Sequence, residues 1–182
     1  MSRKQRVIEA ATQLFASQGF EKTPVSLICE VAEVSKGTVF HHFKNKDEIL
    51  RAVFLYITEF IEDADKQDQH IENENEDDLL SSLIGSIFDG MTIPEHRLMY
   101  QFNFNVMVHP VTRTIVSDLI DERYQGLQAS TEEVFRRSGH DNPTIITKMF
   151  IAEIDGIAMN YLLNDDFPIE AIQIEFTKKY CK

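Results

Sequence analysis

Apolar positions recur at three- and four-residue steps along almost the whole chain, and nowhere does a convincing period-two alternation or an Asn-Gly or Asp-Gly hairpin turn interrupt them. That pattern predicts an all-α fold. Between about Arg3 and Ser17 one face collects Val7, Ala10, Ala11, Leu14 and Phe15, and Gly19 offers a left-handed stop. Thr23-Pro24 reads as a helix start, a capping hydroxyl followed by proline at the first position, with Val25, Ile28, Cys29 and Ala32 facing inward. After a turn at Glu33-Val34, Ser35 can cap a second short helix from Lys36 to about Phe43, in which Val39, Phe40 and Phe43 are the packing candidates. Asn45 then caps a long helix, Glu48 reaches back, and Ile49, Leu50, Val53, Phe54 and Ile57 continue toward Ile61. Further helices are expected near Asp77–Asp89, Pro94–Met107, Pro110–Arg137, Pro143–Leu163 and Pro168–Tyr180, each proline standing where an N–H is expendable. No internal repeat is visible.

Between Glu62 and Asp78 nine carboxylates and one lysine leave only Ala64 and Ile71 as apolar interruptions, which marks a solvated helix end and loop. A calcium loop would need a ligand-converging D-x-[DN]-x-[DN]-G turn that this stretch lacks. Asp155, Asp165 and Asp166 are read in the same way, as solvated helix ends rather than a cation site.

The 182 residues, 43% hydrophobic and 26% charged, have the make-up of a globular protein. Neither an apolar leader after Met1 nor a stretch near the roughly 18 residues of a spanning helix is present, so no membrane role and a cytoplasmic location are expected. Cys29 and Cys181 stand far apart without metal-ligand spacing, and they read as reduced thiols; no metal and no cofactor is called for. The net charge of -12 disfavours nucleic acid for the molecule as a whole, but its distribution reverses the conclusion locally. Residues 1–51 hold eight Lys/Arg against six Asp/Glu, a net +2, so the remainder carries -14.

The segment from Thr23 to Phe43 has the size of a helix-turn-helix, two short amphipathic helices around a turn. In that arrangement the first helix crosses the phosphate backbone and the second lays small or polar side chains on major-groove base edges. Gly37 allows close approach, Thr38 offers a hydroxyl and a methyl suited to thymine, and Lys36 can donate to guanine or to phosphate. Adjacent His41 and His42 point about 100° apart on a helix and have no carboxylate or cysteine at i+4, so DNA contact is the better reading than a metal site.

Arg6-Val-Ile-Glu-Ala-Ala-Thr-Gln-Leu-Phe15, Gly19-Phe20, Val34-Ser-Lys-Gly-Thr-Val-Phe-His-His-Phe43 and Lys46-Asp-Glu-Ile-Leu50 together resemble the DNA-binding domain of the TetR family, over roughly residues 3–55. The resemblance implies a symmetric dimer whose C-terminal helices hold a ligand pocket. It divides the chain into a three-helix helix-turn-helix domain, 1–46, and a helical ligand-binding and dimerisation domain, 47–182. Carried over residue by residue, base-edge approach falls to Lys36, Thr38 and His41, phosphate positioning to Ser26, His42 and Lys46, and clearance to Gly37. Two departures stand out. Glu33 occupies a turn position where the family usually has glycine, so a somewhat different turn and a carboxylate near the phosphates are expected. Phe40 and His42 stand where tyrosine is frequent, which removes a phenolic hydrogen bond to phosphate.

Phe88, Met91, Met99, Tyr100, Asn103, Phe104, Met107 and His109 could line an adaptable apolar pocket with a few polar handles, or could simply be helix core. Ile145, Met149, Ala152, Gly156, Asn160 and Leu163 recur on one helix face and are the candidate dimer interface, with small residues permitting close approach. The function expected is ligand-responsive transcriptional control: a repressor on a palindromic double-stranded operator, released by a small, largely hydrophobic effector. An enzyme with an apolar active site in the bundle is the different-class rival, but no G-x-S-x-G, H-E-x-x-H, P-loop or Cys/His pairing supports it. A ligand-free architectural DNA-binding factor is the third reading, and it would bind without sequence preference and with strong salt sensitivity.

Overall fold

Side-chain caps start several of the helices where the pattern places them. The computed structural model describes residues 1–67 and 76–181, and all regular structure among them is helical. The order is α1 (Arg3–Gln18), α2 (Val25–Val31), α3 (Lys36–His42), α4 (Lys46–Gln67), α5 (Glu76–Thr92), α6 (Pro94–Val108), α7 (Pro110–Ile115), α8 (Ser117–Arg137), α9 (Pro143–Leu163) and α10 (Ile169–Tyr180). The centre of the acidic stretch, and with it the calcium-loop alternative, lies outside the described residues. No described helix is long and apolar enough to cross a membrane.

Two compact units emerge, Met1–Phe60 with Leu98–Ile120, and Ile61–Arg97 with Asp121–Lys182. The expected boundary at 46/47 coincides with the start of α4, whereas the first unit also takes in the amino-terminal part of that helix and the α6–α7 region.

In the first unit α1, α2 and α3 pack on one another. Val7, Ala11, Ile28, Val39, Leu50, Val53 and Ile57 are fully buried, and each such branched side chain contributes about 1.5–3 kcal/mol relative to exposure. Ser2 Oγ caps α1 by accepting from Gln5 N at 3.1 Å, and Ser35 Oγ caps α3 by accepting from Thr38 N at 3.1 Å. Ahead of α4, Asn45 Oδ1 accepts from Glu48 N at 2.9 Å while Glu48 Oε2 accepts from Lys44 N at 2.8 Å, the reciprocal arrangement expected there.

Three expectations are corrected here. Thr23 does not cap α2: Pro24 is the N-cap, and the buried Thr23 hydroxyl turns back to donate to the Gly19 carbonyl at 2.8 Å. The hydroxyl ties the end of α1 to the turn instead. Phe40 is not a packing residue, being 46% exposed while Val39 and Phe43 supply the buried face of α3. The single helix expected over Pro110–Arg137 is broken at Val116, a buried residue with φ -117 and ψ 17. Hydroxyls explain why: Thr112 donates to Val106 O, Thr114 to Pro110 O and Ser117 to Thr114 O, competing locally with the helical ladder. Arg51 Nη1 donates to the Ile115 carbonyl at the break at 2.9 Å, and both guanidinium arms reach the Asp118 carboxylate at 2.6 Å.

The second unit is centred on an aromatic cluster. Phe135 and Phe150 stand 5.3 Å apart, Phe150 and Phe176 5.2 Å, and Phe176 and Tyr180 4.8 Å, in tilted or edge-on geometry. Leu80, Ile84, Phe88 and Ile151 complete this core, and α5 packs against α10 within it. Asp155 also corrects its expectation: it lies inside α9 rather than at a helix end, and partial desolvation raises its carboxyl pKa against the lowering effect of Arg123.

Candidate nucleic-acid interface

A seven-residue helix such as α3 is too short to persist in water on its own, so its neighbours must hold it. Buried Val39 and Phe43 anchor its inner face, the Ser35 cap fixes its amino end, and Ser35 and Thr38 hydroxyls share a hydrogen bond of 2.9 Å. The opposite face is left open: Lys36, Gly37, Phe40, His41 and His42 are all exposed, and Thr38 is half-buried. Lys36 Nζ lies 5.8 Å from the Phe40 ring, and the His41 and His42 rings are 5.0 Å apart. Cation, glycine, threonine methyl, aromatic ring and imidazoles are therefore spread over the solvent-facing circumference of the helix. Such a surface has donors for phosphate and base edges and little bulk at its amino end. A Cβ added at Gly37 would meet only Ser35 Oγ at 3.7 Å, an ordinary contact. Its small size is thus not required by the fold of the free chain. Ser26, expected at phosphate, is likewise exposed in α2.

The turn between α2 and α3 keeps the geometry that glycine would favour. Glu33 sits at φ 52, Glu33 N donates to Glu30 O at 3.1 Å and Val34 N to Cys29 O at 3.0 Å. These two bonds are the Schellman pair that closes a helix with a left-handed residue. The Glu33 carboxylate lies 3.8 Å from Arg6 of α1.

Lys46 is engaged differently from the phosphate contact expected of it. Its ammonium donates to the carbonyls of Phe20 at 2.9 Å, Glu21 at 3.4 Å and Thr23 at 3.2 Å, and it stands 4.3 Å from the Phe20 ring. An ammonium has three protons, so the geometry makes Lys46 the clamp on the α1–α2 turn. Sequence reasoning missed two further partners. Arg51 and Asp118 pair 67 positions apart, and that hydrogen-bonded pairing holds the Asp118 carboxyl down at about 2. His109 Nε2 lies 3.6 Å from Glu21 Oε2. Neither pair has a sequence-local signal.

The candidate pocket residues fall into both units. Phe88 and Met91 are buried in the second unit, Phe88 5.6 Å from Phe176 in its core. In the first unit Asn103 is buried, Met99, Tyr100 and Phe104 are half-buried, and Met107 and His109 are exposed. A cavity of about 370 Å³ exists within the first unit, lined by the end of α1, the following turn and the α6–α7 corner, and of the eight candidates His109 borders it. The candidate interface residues lie along α9: Ile145, Met149 and Leu163 are 52%, 51% and 73% exposed, Ala152 and Asn160 are exposed, and Gly156 is half-buried.

Residues 7–53 match the family model described as bacterial regulatory proteins, tetR family. Over those residues the chain is similar to the TetR family. Over 54 residues it is 39% identical to the HTH-type transcriptional regulator YhgD of Bacillus subtilis, an alignment spanning 30% of this chain and 28% of that protein. It is 26% identical over 166 residues to the A-factor receptor protein of Streptomyces griseus, spanning 84% of this chain and 52% of that one. The chain thus covers about half or less of these relatives' own length. A transcriptional regulator from Rhodococcus sp. Rha1 shares the fold at a TM-score of 0.81 and 15% identity, over 97% of this chain and 95% of that one.

Proposed function

We propose that this chain is a ligand-responsive transcriptional regulator of the TetR type rather than an enzyme, a cytoplasmic repressor that binds a palindromic operator as a homodimer. A small, largely hydrophobic molecule releases it. The observation that carries the reading is the solvent-facing surface of α3, in which Lys36, Gly37, His41 and His42 are exposed around a buried Val39–Phe43 anchor. Residues 1–46 supply the reading head. Lys36, Thr38 and His41 approach base edges, Ser26 and His42 position phosphate, and Lys46 acts by holding the turn that sets α2. One such head is weak, and a dimer whose two heads lie about one helical turn apart, roughly 34–36 Å, binds two half-sites as a unit.

The apolar row of α9 supports the dimer. Ile145, Met149 and Leu163 would be poorly placed in water, and self-complementary burial of one row on its copy is the usual closed solution. Effector control is supported by the receptor name of the Streptomyces griseus relative and by the cavity beside the α1–α2 turn.

The test is binding of the purified protein to DNA flanking its own gene, at controlled salt, beside Lys36→Ala, Thr38→Ala and Gly37→Ala. Saturable, sequence-selective binding of a dimer is expected, with each alanine costing about 1–3 kcal/mol per head. Gly37→Ala should keep wild-type stability while losing affinity. Absence of selective binding by folded wild-type protein across both flanks and many random sequences would sink the reading.

A further inference from the structure

A cation is poorly placed at the amino end of a helix, where the backbone dipole is itself positive. α1 nonetheless begins Arg3-Lys4, both exposed, with no acidic residue in its first turn. The Lys4 ammonium lies 6.0 Å from the centre of the Phe43 ring, so this side chain reaches from α1 to the carboxyl end of α3. Phe43 itself is buried, and the ring of exposed His42 stands 6.4 Å from it. Lys44 follows directly in the chain, its side chain 89% exposed. Its ammonium approaches Glu48 Oε1 at 3.8 Å, while the other oxygen of that carboxylate accepts from Lys44 N at 2.8 Å. A solvent-screened pair of this kind is readily exchanged for a stronger anion. Lys4 and His42 thus flank one buried ring at the end of the reading helix, and Lys44 adjoins it.

Lys46, by contrast, is committed elsewhere. Its three protons face the carbonyls of Phe20, Glu21 and Thr23, and a phosphate drawing the ammonium away would loosen the α1–α2 turn. The backbone contact expected of Lys46 therefore has to come from another cation. A helix that enters the major groove amino end first leaves its carboxyl end and flanks toward the sugar–phosphate wall, which is where Lys4 and Lys44 stand relative to α3. A phosphate there also offsets the unfavourable meeting of Lys4 with the α1 dipole.

We propose that Lys4 and Lys44 are the backbone clamp of the reading head, each holding a DNA phosphate beside the carboxyl end of α3 in place of Lys46; the inference rests on the DNA-binding reading above. Such contacts carry no base information, so they set affinity and orientation and leave sequence preference to Lys36, Thr38 and His41.

The experiment is duplex binding by the full chain over a salt series of roughly 50 to 200 mM, on the selected flanking site and on random duplex. Lys4→Met and Lys44→Gln keep most of each stem and remove the charge. Lys178→Gln, on α10 of the second unit, removes the same charge away from the head and is the control. In each clamp variant the slope of log affinity against log salt should shrink by about 0.9 per head, with binding weaker by roughly tenfold per head near 0.1 M salt. The ratio of selected-site to random-duplex affinity and the helical circular dichroism should stay at wild-type values, and Lys178→Gln should leave the slope unchanged. A wild-type slope in Lys4→Met or Lys44→Gln overturns that residue's contact, and for Lys4 it leaves only a stem packed on Phe43. Equal slope changes in all three variants, or an altered site preference, overturn the clamp as a net-charge or a base-reading effect. If wild type binds every duplex alike, the regulatory reading falls alone, and the slopes on random duplex still decide the clamp. Binding to no duplex at the lowest salt sinks both.

Discussion

α3 and α9 each turn one side to solvent, yet the two sides differ in kind. α3 shows solvent a lysine, a glycine and two histidines over an inner face of Val39 and Phe43. α9 shows Ile145, Met149 and Leu163 over an inner face of Thr147, Phe150 and Ile151. Exposed cations and small polar groups cost little in water, so α3 can wait for a polyanion. An apolar row forgoes about 25 cal/mol for every Å² it leaves wet, which argues for a second protein surface. The supports differ as well. Seven residues of α3 depend on a serine cap and two buried side chains, whereas the 21 residues of α9 rest on a cluster of interlocked rings. A surface row therefore indicates its partner's chemistry, and the layer beneath it indicates how firmly the row is held.

The largest effect should come from removing the support of α9. Phe150, 1% exposed and in edge-on contact with Phe135, loses about 3–5 kcal/mol of stability as Phe150→Ala, read by urea denaturation. A loss below about 1 kcal/mol would show that the ring cluster does not carry that unit. Next in size, Met149→Glu places a carboxylate on the apolar row; sedimentation should show a dimer weakened by roughly 100-fold or more, with helicity retained. A variant as dimeric as wild type would remove α9 from the interface.

A smaller change sharpens the picture on the α3 side. The end of α8 makes the same pair of closing bonds as the end of α2, with Gly139 at φ 72 where α2 has Glu33 at φ 52. The side chain at Glu33 pays the left-handed penalty that Gly139 avoids. Glu33→Gly should stabilise the folded chain by up to about 1 kcal/mol, offset in part by added freedom in the unfolded chain and by the lost approach to Arg6. Destabilisation would mean that the ion pair outweighs the strain.

The smallest effect concerns the α7–α8 break. Asp118 is held at about 2 by the Arg51 guanidinium, below its ordinary 3.8. A depressed carboxyl pKa stabilises the fold above its unfolded value and loses that contribution as pH falls through the folded one. The stability gap between wild type and Asp118→Asn should therefore be open near pH 5 and close as pH falls from about 4 to about 2. A gap independent of pH would assign the pair no role in acid stability.

The helices and the helix-turn-helix were legible because their signals are local. Capping residues, three- and four-residue spacing and the order of motifs from Arg6 to Leu50 all act within a few residues of one another. Where those signals were ambiguous the reading failed in understandable ways. Phe40 belongs to a helix so short that two apolar faces could be drawn on it, and only the packing of Val39 and Phe43 chose between them. Thr23 had the composition of a cap, but burial at 0% exposure gave its hydroxyl a nearer acceptor in Gly19. The stretch from Pro110 to Arg137 had helical spacing throughout, and its hydroxyls and Arg51 decided the break at Val116.

By itself, then, the sequence determined the helical class and the placing of nearly every helix start, since these depend on interactions a few positions apart. Tertiary structure alone decided that Lys46 grips the α1–α2 turn, that Arg51 meets Asp118 across 67 positions, and that the end of α1 and the α6–α7 corner enclose a cavity. Such contacts join segments whose separation along the chain carries no periodic signal, and they come into being only when burial of the intervening helices brings the segments together.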